Sequence, residues 1–116
     1  MEEKDLDFQT IIRELNVQLS EVEIFKQIKA QLIRDFQRSG INDFKLSSPI
    51  PSEWNAEIQN ILKKLQPVEL QQLLYIVDIP ERILFQSQES EHEFFYLSNA
   101  ILQRELLKVY YQNQFK

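Results

Sequence analysis

Few residues in this chain have types and spacings that suit chemistry. His92 is the only histidine, and there is no cysteine. Glu89-Ser90-Glu91-His92 has the Glu-x-x-His spacing of helical di-iron sites, which sets both side chains on one helix face. That arrangement needs two such pairs and two more glutamates from other helices. One histidine cannot complete it within one chain. A second copy could supply the missing pair, but His92 falls in the first turn of a helix. There it reads as a solvated histidine among acids that suit a helix N-terminus. A Ser–His–Asp arrangement would also have to use His92, and there is no G-x-S-x-G turn to present a serine and no Ser-x-x-Lys. The lack of cysteine excludes a disulfide framework, a thiolate zinc site and a thiol nucleophile. Among 18 Asp and Glu some pairs must fall within reach of each other, so a carboxylate pair carries no specificity. Glu57, Glu69 and Glu81 read as solvated helix faces. The sequence therefore predicts no catalytic residue, no cofactor and no metal.

Charge is uneven. The formal net charge is −5, yet residues 26–65 carry 7 basic and 4 acidic side chains. Lys26, Lys29, Arg34 and Arg38 lie along one predicted helix, and Lys63 and Lys64 on the next. A nucleic-acid regulator using the basic 26–64 region is an alternative reading, but backbone binding usually goes with a basic domain. A helix-turn-helix also joins its helices by 3–4 residues, whereas about a dozen separate these two. The same helix has part of the pattern of a membrane-surface helix, but its apolar face is needed for a core. No apolar run approaches the ~20 residues of a membrane span. The acidic start, Met1-Glu2-Glu3-Lys4-Asp5, has no apolar stretch behind it, which predicts a cytoplasmic chain without a secretory leader.

These side chains need elements to position them, and composition says which kind. The 116 residues contain one glycine and 14 glutamines. With Gly40 alone, the chain cannot build a phosphate-cradling loop or a series of tight hairpins. Leu, Glu, Gln, Ile and Lys are fair to good helix formers. The expectation is a single all-α domain over 1–116, of five or six helices.

Periodicity places them. Phe8, Ile11, Ile12, Leu15 and Leu19 make one stripe, predicting a helix over Asp7–Leu19. Ser20-Glu21-Val22-Glu23 is a capping box opening a helix over Glu21–Ser39, with Gly40 at the positive-φ position that ends it. Ile41–Pro51 is a linker, because Pro49 and Pro51 forbid a helix interior. Its apolar Ile41, Phe44, Leu46 and Ile50 predict packing across the helices, with Trp54 as anchor. Further helices follow over Ser52–Leu65, Pro67–Val77 and Pro80–Gln86. Asp78-Ile79-Pro80-Glu81 reads as a stop and restart. Ser90-Glu91-His92-Glu93 caps a last helix over Glu91–Gln112.

That last helix is apolar nearly all round. Phe95, Leu102, Leu106, Val109 and Tyr110 make one stripe. Phe94, Leu97 and Ile101 make another, separated from it by Ser98 and Glu105. A helix of this kind is either wrapped by its own chain or pairs with a second one. Its expected interface residues are Phe94, Phe95, Leu102, Leu106, Val109, Tyr110 and Tyr111. The sequence thus predicts a small non-catalytic interaction module, self-associating as a dimer or meeting another protein. A small-ligand binder or enzyme is the third reading.

Overall fold

The computed structural model describes residues 20–88 and 91–114. These residues are all-helical, with no strand among them. Helix α1 spans Glu21–Arg38 and a 3-10 turn spans Pro51–Glu53. Helices α2 (Trp54–Lys64), α3 (Pro67–Val77), α4 (Glu81–Gln88) and α5 (Glu93–Gln114) follow. The all-α class, the Pro-containing segment after the Glu21 helix and the long C-terminal helix agree with the sequence reading. The predicted Asp7–Leu19 helix and the Ser90 cap lie outside the described residues. Helix α5 begins two residues later than expected, at Glu93, and α4 ends two residues later, at Gln88.

The signals at the helix ends act as their chemistry requires. The Ser20 hydroxyl accepts from the Glu23 amide at 3.2 Å, satisfying a donor that a first turn leaves free. At the far end Gly40 takes φ 89°, and the Ile41 amide reaches back to the Phe36 carbonyl at 2.9 Å. A Cβ on Gly40 would meet nothing within 4 Å, so only its backbone angle calls for glycine. Helix α3 ends on Asp78 at φ 71°, a left-handed position that Asp tolerates better than most residues. The amides of Asp78 and Ile79 both bond to the Leu74 carbonyl at 3.1 Å. The Pro80 carbonyl then receives the Ile83 amide at 3.0 Å, and α4 starts.

Helix α5 is the hub and packs against each of the other four helices. Ile24, Ile28, Leu32 and Phe36 recur every four residues on α1, all at 0% exposure. The linker closes one end of the core: Ile41, Phe44 and Leu46 are buried, and Phe44 stacks on Phe36 with ring centroids 3.9 Å apart. Ile50 departs from expectation and is 51% exposed. Here Ser48, not Ile50, is held against α2, because its carbonyl accepts from the buried Trp54 Nε1 at 3.0 Å. Glu57 fastens the same segment, accepting from the Ser47 amide at 2.8 Å, the Ser48 amide at 3.1 Å and the Ser47 hydroxyl. Among the described residues no helix is long and apolar enough to cross a membrane.

Candidate functional site

The apolar surplus of α5 resolves into one broad buried arc. At 100° per residue, Leu97, Ile101, Glu105, Ser98, Val109, Leu102 and Leu106 follow one another over about 180°. All seven are at most 1% exposed. The two stripes of the sequence reading are therefore the flanks of a single face, and Ser98 and Glu105 are its middle. Leu102, Leu106 and Val109 belong to the core of their own protomer and present nothing to a second copy. Phe94, Phe95 and Tyr110 are half-buried, while Tyr111 is 51% exposed. Tyr110 and Tyr111 meet edge to face, with centroids 5.4 Å apart.

Where α5 crosses α1 the interior is charged. Asp35 of α1 is fully buried. Its carboxylate accepts from Lys108 Nζ at 2.7 Å and from Gln31 Nε2 at 3.1 Å, with Arg38 Nη1 at 3.9 Å. Lys108 Nζ also lies 3.4 Å from the Ile76 carbonyl and 3.4 Å from Glu105 Oε1. Gln112 Nε2 donates to Gln31 at 3.0 Å, extending the polar seam toward the end of α5. Glu105 is also fully buried, and neither of its oxygens accepts a hydrogen bond. Burial, then the hydrogen bond and charge of Asp35, push its carboxyl up to about 9, against the pull of Lys108. Glu57 on the linker clamp shifts the other way. Burial alone would raise it, but the Ser47 and Ser48 hydrogen bonds and the charge of Lys29 take it below its usual value.

The exposed apolar surface lies elsewhere, on α3 and α4. A groove of about 450 Å³ runs between them and the start of α5. Leu70, Leu74, Ile79, Leu84 and Leu97 line it, and Glu81 and Glu93 stand among its few polar groups. The Ser87 hydroxyl in its wall is already committed to the Leu84 carbonyl at 2.8 Å. Tyr75, 84% exposed, lines this groove and also a shallower hollow formed with Arg38, Gln71, Gln72 and Ile76. It therefore forms the ridge between two depressions. Val68, seven residues before Tyr75 on the same helical stripe, is 64% exposed. Phe85, 63% exposed, is four residues after Glu81 and so flanks the groove from α4.

Sequence reasoning passed over Tyr75, Phe85 and Val68. A signal was present: Leu70, Leu73, Leu74 and Val77 already complete the inward stripe of α3, leaving Val68 and Tyr75 outside it. The chemistry-bearing residues do not converge. His92 is exposed just before α5, and Glu89 lies outside the described residues. No group of three His, Cys, Asp or Glu among the described residues is placed to hold a metal ion. Lys26, Lys29, Arg34 and Arg38 spread around about 180° of α1, the outer half, with Glu23 between them. Comparison of the chain with protein-family models, with curated proteins and with solved structures finds no match to any of them.

Proposed function

We propose that this chain is a small non-catalytic interaction module that pairs with a second copy of itself through the α3–α4 face. The observation that carries the reading is Tyr75, a nearly free aromatic ridge set between an apolar groove and a second hollow. A twofold contact needs one patch that is complementary to itself. This patch offers protruding rings and a groove to receive them. Its charges also suit a twofold axis near Tyr75. Arg38 stands at the hollow and Glu81 and Glu93 at the groove, so each copy would lay its basic edge over its partner's acidic edge. Tyr75 and Phe85 together offer roughly 300 Å² per protomer, taking 150–250 Å² per aromatic. Val68 and the groove walls bring two copies to about the 1,000 Å² that a specific interface requires.

Sedimentation of the native chain and of Tyr75→Glu and Phe85→Glu tests this. The native chain should be a dimer. Each variant should be a monomer with unchanged helical circular dichroism, and its unfolding midpoint should equal that of the native chain diluted until it dissociates. A native chain that stays monomeric over the whole concentration range removes the proposal. It would leave the groove as a small-ligand site, since its volume falls in the range of such pockets.

A further inference from the structure

The charged seam between α1 and α5 touches that pairing face only through Arg38 and holds more charge than packing needs. Two carboxyls, Asp35 and Glu105, face each other in an enclosed space with one ammonium group, Lys108, which is 19% exposed. Asp35 accepts hydrogen bonds from Gln31 and Lys108, whereas Glu105 accepts none and has only the Lys108 ammonium at 3.4 Å. Around them α1 also contributes Arg38, at 3.9 Å from Asp35, and Arg34, which is turned to Gln31 at 3.1 Å. Arg104 of α5 is engaged outward with Asp78 at 2.8 Å. From α3 the described contact is the uncharged Ile76 carbonyl.

We propose that Asp35, Glu105 and Lys108 form a latch between α1 and α5 that a single proton holds closed. With the proton on Glu105, its hydroxyl donates to Asp35 and the remaining charges, Asp35 and Lys108, cancel. An orphaned acceptor then becomes a satisfied donor, which accounts for a buried glutamate whose nearest donor, the Lys108 ammonium, is bonded to Asp35 instead. Without the proton, two carboxylates share one ammonium in a space closed to water. The single ammonium then offsets only part of the desolvation and the repulsion. The direct relief is to part α5 from α1 and admit water, so the seam loosens as pH rises.

The elevated carboxyl of Glu105 agrees with this geometry and sets the window. A group at about 9 when folded and at its ordinary 4.5 when unfolded binds its proton more tightly in the folded chain. Its contribution is complete below 4.5 and is lost progressively as pH rises toward 9. The device is thus locked by acid and released by alkali.

The test compares the native chain with Glu105→Gln at one fixed protein concentration, from pH 5 to 9. Glutamine keeps the size and a donor for Asp35 but carries no titrating proton. Relative to the variant, the native unfolding constant should rise up to tenfold per pH unit, about a hundredfold from pH 6 to pH 8. Amides of α1 and α5 at the seam should lose hydrogen-exchange protection over the same range. Parallel pH curves for the two proteins would overturn the latch. Should the variant fail to fold, a carboxyl-carbon NMR titration of the native chain decides. One glutamate titrating near 9 supports the proposal, and ionisation of every glutamate by pH 6 overturns it.

Discussion

The α1–α5 seam and the α3–α4 face allocate polarity in opposite ways. At the seam, Asp35 and Glu105 are at 0% exposure in the middle of the core. On the face, Tyr75 and Phe85 are 84% and 63% exposed. Helix α5 must cover four neighbours at once and turns half its circumference inward, carrying Ser98 and Glu105 with it. Helices α3 and α4 have fewer neighbours and leave large apolar groups outside. A buried polar group is stable only with partners, and an exposed apolar cluster marks a contact surface. The inversion therefore points to two distinct devices, an internal latch and an external docking face.

The comparison can be broken most directly at Leu106 and Tyr75. Leu106→Glu places an unpaired carboxylate at a position 1% exposed. The expected cost exceeds about 4 kcal/mol, a large part of the 5–15 kcal/mol that holds a domain together. Loss of the cooperative urea transition is the expected result. The same exchange at Tyr75 should leave the transition in place, within about 0.5 kcal/mol for the monomer. A folded Leu106→Glu beside an unfolded Tyr75→Glu would reverse the assignment of inside and outside.

A smaller effect sharpens the seam itself. Asp35→Ala leaves Lys108 largely buried without its 2.7 Å partner and strips Gln31 of its acceptor. Breaking a buried pair in this way costs about 3–5 kcal/mol. Urea denaturation at pH 6 should show that loss, and Lys108→Met in the same chain should restore part of it. An Asp35→Ala midpoint equal to the native one would mean the seam is solvated and the contrast with the face is lost.

What was legible in the sequence follows from which signals are local. The Ser20 cap, Gly40, Pro67 and the Asp78–Pro80 break act on the backbone next to them, so α1, α3 and the start of α4 fall close to where their residues place them. The burial of α5 is not local. Its sequence shows too much apolar surface but not how many neighbours will cover it. Ser98 and Glu105 read as a break between two apolar stripes because Asp35, the carboxylate that faces Glu105, comes from a distant helix, although Lys108 stands only three residues away. Asp35 is 70 residues from Glu105 and sits among basic residues of α1, so its inward turn left no periodic trace beyond its spacing from Leu32 and Phe36. The α3–α4 face was legible in principle, as residues surplus to the inward stripe, but a surplus Val or Tyr gains meaning only when a groove lies beside it.

Glu57 gives the smallest and most discriminating prediction, because it is the satisfied counterpart of Glu105. Both are single glutamates against a neighbouring segment. Glu57 accepts from Ser47 and Ser48, and its carboxyl is lowered where that of Glu105 is raised. Glu57→Ala should cost about 1.5 kcal/mol, the low end for hydrogen bonds to a charged group, because the site is partly exposed. Its pH dependence must run opposite to that of the latch. The Glu57 contribution is present above the ordinary value of 4.5 and is lost as pH falls through its lowered folded value. Trp54 reports on it directly, since its Nε1 holds the Ser48 carbonyl in the same clamp. Urea midpoints followed by Trp54 emission should separate native from Glu57→Ala at pH 7 and converge at low pH. Coincident midpoints already at pH 7 would show that the linker is held by the apolar contacts of Phe44 and Leu46 and not by this carboxylate.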